Sequence, residues 1–135
     1  MNRLQLRRTR GWRKPEGAVV VSRPGLWGNP WVVGTPGRLR LPMTDGTGHR
    51  VTLTLPGALS AELAVSLHWQ WLERLLIAAP FDLDGPDPIV ALRRLANRRL
   101  LILESLPALR GRDLLCFCPP GAPCHGDTLL AMANA

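Results

Sequence analysis

Three cysteines and a histidine fall within the stretch Asp113–Asn134, DLLCFCPPGAPCHGDTLLAMAN. Cys116 and Cys118 are two residues apart, so on a strand both side chains leave the same face and Phe117 points the other way, into the core. Cys124 and His125 come from the loop that folds back over the strand end. Thiolate sulfur and imidazole nitrogen are donors that tetrahedral zinc accepts, which makes Cys116, Cys118, Cys124 and His125 a candidate Cys₃His set. The spacing C-x-C-x₅-C-H is tighter than paired C-x₂-C knuckles, and the neighbours Cys124 and His125 need a sharp backbone turn to reach one ion. If one of that pair turns away, the residue expected to do so is His125. A second chemistry needs no metal. Backbone N–H groups and the dipole at a helix N-terminus acidify a thiol. Cys118 would then be a nucleophile, His125 its base and Asp127 the acid that orients the base. In a third reading the cysteines pack as small hydrophobes and Asp127 only caps a helix.

A strand, a loop and a helix must position these groups. Asp113–Phe117 is a short apolar run. Pro119, Pro120, Gly121 and Pro123 forbid regular structure after it. Asp127 stands as N-cap of a final apolar helix over Thr128–Ala133. A second stretch with chemical potential is RPGLWGNPW, Arg23–Trp31, which follows the β-branched strand pattern Gly17–Ser22. Its glycines and prolines fix an irregular loop. Gly28 allows a positive φ or a close backbone approach, and Asn29 before Pro30 is driven to an extended conformation. Arg23 offers a guanidinium fork and Trp27 a flat face, which together could hold a phosphate and a base. The alternative is that both tryptophans cap the core and Arg23 pairs with an acid.

Between the two motifs, Arg38–Leu55 alternates apolar and polar residues around Asp45-Gly46-Thr47-Gly48, the pattern of a β-hairpin. His49 beside that turn reads as a solvated residue. Ser60 is placed to cap a helix running to about Ala79, with Glu62, Ser66, Gln70, Glu73 and Arg74 as its polar stripe and His68 at the stripe's edge. Asp82 and Asp84 lie in an acidic loop. Asp87-Pro88 starts a second helix, whose outer face carries Arg93, Arg94, Arg98 and Arg99. The run Leu100–Leu103 fits either helix or strand. Leu106–Arg110 reads as one short turn, and Gly111 as the reversal into the last strand.

The chain has 135 residues and a formal charge of +7, enough for one modest core. Arg3, Arg7, Arg8, Arg10, Arg13 and Lys14 supply most of that charge, with no acid among them. The first 14 residues therefore read as a basic arm, attracted to nucleic acid or another polyanion, or simply solvated. No apolar run is long enough for a membrane span, and the basic N-terminus lacks the apolar core of a secretory signal. The expected setting is a reducing cytoplasm, where thiols serve metals or chemistry rather than disulfides.

SRPGLWGNPW and LRGRDLLCFCPPGAPCHGDTLLAMAN together resemble a family of small bacterial and phage proteins catalogued as a domain of unknown function. The family pattern is R-x-x-x-W-G-N-P-[FW] near the start and L-x-G-x-x-L-x-C-x-C-x-P…C-H-[GA]-[DE] near the end. The resemblance implies that Arg23, Trp27, Gly28, Asn29, Pro30, Cys116, Cys118, Cys124, His125 and Asp127 are matched positions, and that the two loops lie together. It implies no reaction. The arm and the hairpin look like elaborations of the family pattern. The H-x-E and P-C-x-x-C elements of zinc deaminases are absent, which disfavours that chemistry.

The expected architecture is a small single-domain α/β protein over residues 15–135, with a few strands, two principal helices and a β-hairpin insertion, preceded by the arm 1–14. The expected function is a nucleotide- or nucleic-acid-binding or processing module built around the W-G-N-P loop and a zinc-type Cys/His cluster. The alternatives are a hydrolase or transferase on a nucleotide-like substrate, using a cluster thiolate with His125 and Asp127, and a zinc-stapled accessory protein without catalysis.

Overall fold

The structure is a computed structural model. It describes residues 2–34, 36–44, 50–74, 79–80 and 88–135, with the backbone path alone for 36–44, 50–57, 74, 79–80, 88–89 and 91–92. In chain order the elements are β1 (Arg3–Gln5), β2 (Val19–Val20), β3 (Pro36–Thr44), β4 (Arg50–Ala58), α1 (Ala61–Arg74), β5 (Ala79–Pro80), α2 (Pro88–Ser105), a 3-10 turn (Leu106–Leu109), β6 (Leu114–Cys116) and α3 (His125–Ala133).

The sheet that matters for the site has β6 in the middle and β1 and β2 on either side, all parallel. Leu114 faces Arg3 and Val19, and Leu115 faces Leu4 and Val20. Leu6 N–H donates to the Cys116 carbonyl at 2.8 Å, and Val21 N–H to that of Leu115 at 2.8 Å. Leu114, Leu115 and Cys116 are all buried, as expected of a central parallel strand covered on both faces. Gly111, at φ 74°, makes the reversal into β6, a conformation that glycine adopts without a Cβ penalty.

This sheet corrects the expected domain boundary. Arg3–Gln5 is a strand of the core sheet rather than part of a solvated arm. The alternation of Leu4 and Leu6 with polar neighbours is the signal for it.

β3 and β4 pair antiparallel, with Leu39 opposite Leu53 and Arg40 opposite Thr52, and β5 lies along the other side of β3. The expected turn Asp45–Gly48, His49, the acidic pair Asp82 and Asp84, and the cap Asp87 lie outside the described residues. α1 opens at Ser60, whose Oγ accepts the Leu63 N–H at 3.1 Å. The helix does not reach the expected Ala79, because Ala79–Pro80 pairs with β3; proline has no N–H to continue a helix. The Leu100–Leu103 run is helical and belongs to α2. The described residues hold three α-helices, the two principal ones and α3, the final helix expected after the cysteine loop.

The core joins α1, α2, the 3-10 turn, β6 and α3 through Leu67, Trp71, Leu72, Ile102, Leu109, Leu114 and Leu129. Trp31, from the loop after β2, packs edge-on to Trp71 with ring centroids 5.5 Å apart. Among the described residues, no helix is long and apolar enough to cross a membrane.

Candidate metal centre

Because β1, β6 and β2 run parallel, the segments that leave them emerge at one edge of the sheet, where parallel α/β sheets place their ligands. β6 delivers Cys116 to that edge. Cys116, Cys124 and His125 are buried there, and one donor atom from each lies within 4.8 Å of the others. The Cys118 sulfur is 3.7 Å from that of Cys116, the separation of about 3.8 Å expected between two thiolates on one tetrahedral zinc with bonds of roughly 2.3 Å.

The turn required between Cys124 and His125 is supplied by the helix start. Cys124 is the N-cap, with extended backbone at φ −150° and ψ 138°, and His125 is the first helical residue. That break brings the Cys124 sulfur to 4.0 Å from His125 Nδ1. The same sulfur accepts the Gly126 N–H at 3.4 Å. The cap is therefore Cys124 and not Asp127, which sits in the first turn, where the helix dipole favours its charge.

His125 Nε2 is 2.7 Å from the Val21 carbonyl oxygen. A carbonyl only accepts, so Nε2 carries the proton and Nδ1 turns a lone pair towards the cysteines, the usual second contact of a metal-ligating imidazole. Burial lowers the His125 pKa and keeps the ring neutral. Neither Cys124 nor His125 turns away, so the case in which His125 was expected to do so does not arise. The thiols titrate as a set. The Cys116 thiol is held down to about 5, first by the hydrogen bond from Cys124, whose own pKa is raised by that same bond. Burial is the first cause raising Cys118.

Arg3 fixes the cysteine loop. Its Nε donates to Asp127 Oδ1 at 2.8 Å, Nη1 to the Cys118 carbonyl at 3.2 Å, and Nη2 to the carbonyls of Pro119 at 3.3 Å and Ala122 at 3.1 Å. One guanidinium thus satisfies three carbonyls of a loop whose prolines preclude a ladder. Asp127 is engaged by Arg3, and both His125 ring nitrogens face other partners. The expected Cys118–His125–Asp127 relay is not assembled.

A second arginine fixes the W-G-N-P loop. Arg98 donates to the carbonyls of Gly25 at 3.0 Å, Leu26 at 3.0 Å and Gly28 at 3.0 Å. It was expected on an outer basic face, yet it shares a helical face with the buried Leu95 and Ile102, at spacings of three and four residues. Gly28 is needed for close approach: a Cβ there would lie 2.7 Å from Arg23 Cγ and 2.9 Å from Arg23 Cα. Asn29 is buried, with Nδ2 donating to the Ala64 carbonyl at 3.0 Å and Oδ1 accepting the Trp31 N–H at 3.0 Å. Its amide pins the loop to α1, and Pro30 is buried beside it. Arg23 Nη1 donates to the Asn29 carbonyl at 2.7 Å.

The two loops share one cleft of about 250 Å³, lined by Arg23 and Asn29 from the first and by Cys116, Cys118, Cys124 and His125 from the second. Trp27, the expected stacking face, packs half-buried against the core, and Trp31 lines the cleft instead. Sequence reasoning missed three further residues. Arg8 lines the cleft. Phe117, expected in the core, is 39% exposed, with the Arg8 guanidinium 4.6 Å from its ring centroid. His68, expected at a polar edge, is 0% exposed, with its ring 5.2 Å from that of His125. The helical spacing of His68 with Ala64 and Trp71, both buried, is the signal that could have found it.

Residues 4–135 match the family described as a domain of unknown function (DUF4326), and the chain belongs to that family. The match takes in most of the basic N-terminal stretch and the β3–β4 region, both of which the sequence suggested were additions. No curated protein and no solved structure matches the chain.

Proposed function

We propose that this domain is a binding module for nucleotides or nucleic acid, and that zinc held by Cys116, Cys118, Cys124 and His125 forms the floor of its cleft. The observation that carries this reading is the shared cleft, which puts the Cys/His donors beside Arg8 and Arg23. The donor set favours zinc: buried sulfurs with a neutral imidazole whose tautomer is fixed by the Val21 carbonyl. With Cys118 as fourth donor the set is closed, the arrangement of structural rather than catalytic zinc. Arg23 spends one N–H on the Asn29 carbonyl, and a guanidinium has five to give. A phosphate is the matching partner.

The enzyme alternative needs Asp127 to orient His125, and the Arg3–Asp127 pair stands against it. Calorimetric titration of the zinc-loaded protein with nucleoside mono- and diphosphates tests the binding role. The expected result is saturable binding that weakens about tenfold or more in Arg23→Ala, with zinc content unchanged. No heat with any nucleoside phosphate at millimolar concentration contradicts it.

A further inference from the structure

We infer that the cleft is one end of a track for single-stranded nucleic acid, with Phe117 as a stacking platform between two adjoining hollows. The inference rests on the cleft being a phosphate site and names the ligand that site takes. Phe117 lies between two candidate metal ligands at the end of a wholly buried strand, yet it is itself 39% exposed. It lines the cleft and also a second, wider hollow of about 530 Å³ on the β1 side, formed with Gln5, Leu6, Arg7, Arg8 and Thr9. Arg8 likewise lines both hollows, and its guanidinium lies 4.6 Å from the Phe117 centroid.

An exposed aromatic ring flanked by arginines is how proteins hold unpaired bases: the ring or the guanidinium plane stacks on a base while the cations meet the phosphates. Two hollows that share the same two side chains accommodate successive nucleotides rather than one. Arg10, Arg13 and Lys14, which follow Arg8 closely in the chain, are exposed and add positive charge to the same N-terminal segment. A duplex keeps its bases stacked on one another and has none to lay on Phe117, so the single strand is the form that fits.

The test uses the zinc-loaded full chain and fluorescence anisotropy with a labelled thymidylate octamer, a uridylate octamer, a duplex of equal length, and thymidine monophosphate as competitor. The octamers are expected to bind at least tenfold more tightly than the monophosphate and more tightly than the duplex. Phe117→Ala and Phe117→Leu should weaken octamer binding roughly 5- to 100-fold, since a stacked base contributes about 1–3 kcal/mol. Both variants should weaken octamer binding by a larger factor than monophosphate binding, and Phe117→Trp should retain octamer binding. Arg8→Ala should reduce the slope of log affinity against log salt by about 0.7, one phosphate contact on a single strand. An octamer no tighter than the monophosphate, a duplex that binds as well as the octamer, or octamer binding unchanged in Phe117→Ala overturns the track and leaves the cleft as a nucleotide site. Binding of neither octamer nor monophosphate overturns both.

Discussion

His125 is legible as a donor from its place in C-H-G-D, but its orientation is not, because that depends on the Val21 carbonyl more than a hundred residues earlier in the chain. His68 is harder still. Its neighbours on α1 include the polar Ser66 and Gln70, and the ring of His125 on α3 completes its enclosure. The result is a ring whose two nitrogens have no hydrogen-bond partner, enclosed with the unpaired Trp31 and Trp71 indole nitrogens. Burial, first of all, lowers the His68 pKa to about 3, so the ring is neutral. An unsatisfied buried polar atom costs about 1–3 kcal/mol. His68→Leu is therefore expected to raise stability by roughly 1–2 kcal/mol in denaturant unfolding. A loss of stability of that size would show that His68 has a favourable role.

At the scale of elements, the helices, the strand–loop–helix order and the two loop motifs follow from periodicity and from proline and glycine placement. The two arginine clamps do not. Arg3 and Arg98 act through backbone carbonyls, which carry no sequence signature, and their targets lie 115 and about 70 residues away. Arg3→Lys keeps the charge but loses the planar fork. It is expected to destabilise the fold by about 1–3 kcal/mol in denaturant melts, the range for hydrogen bonds to a charged group, and to weaken zinc retention. Deleting residues 1–14 should be far more damaging, since β1 goes with them, whereas neutralising Arg10, Arg13 and Lys14 should leave stability unchanged.

A third contact ties β1 to β6. Asp113 accepts the Asn2 N–H at 2.8 Å, and this bond is the first cause that lowers its pKa. The folded value lies below the unfolded value of about 3.9, so the contribution is complete above that pH and disappears as pH falls through the folded value. Asp113→Asn should thus melt below the native protein at pH 7, with the difference closing in acid. A difference that is constant with pH would mean that the carboxylate charge is not what Asn2 holds.

For the whole molecule, the expected meeting of the two loops is what the structure shows. Two motifs far apart in the chain meet in one cleft because both follow strands of one parallel sheet. The departure is at the N-terminus, where charge dominated the reading and the Leu4–Leu6 alternation beneath it passed unread. A domain of this size is stable by about 5–15 kcal/mol, and structural zinc contributes on a comparable scale. The fold should accordingly depend on its metal. The most direct measurement is metal analysis of the protein purified under reducing conditions, paired with thermal melting with and without a chelator. The account predicts one zinc per chain, loss of that zinc in Cys116→Ser and Cys124→Ser, and a melting temperature lowered by roughly 10 °C or more on chelation. A protein that carries no metal and melts unchanged with chelator would contradict it.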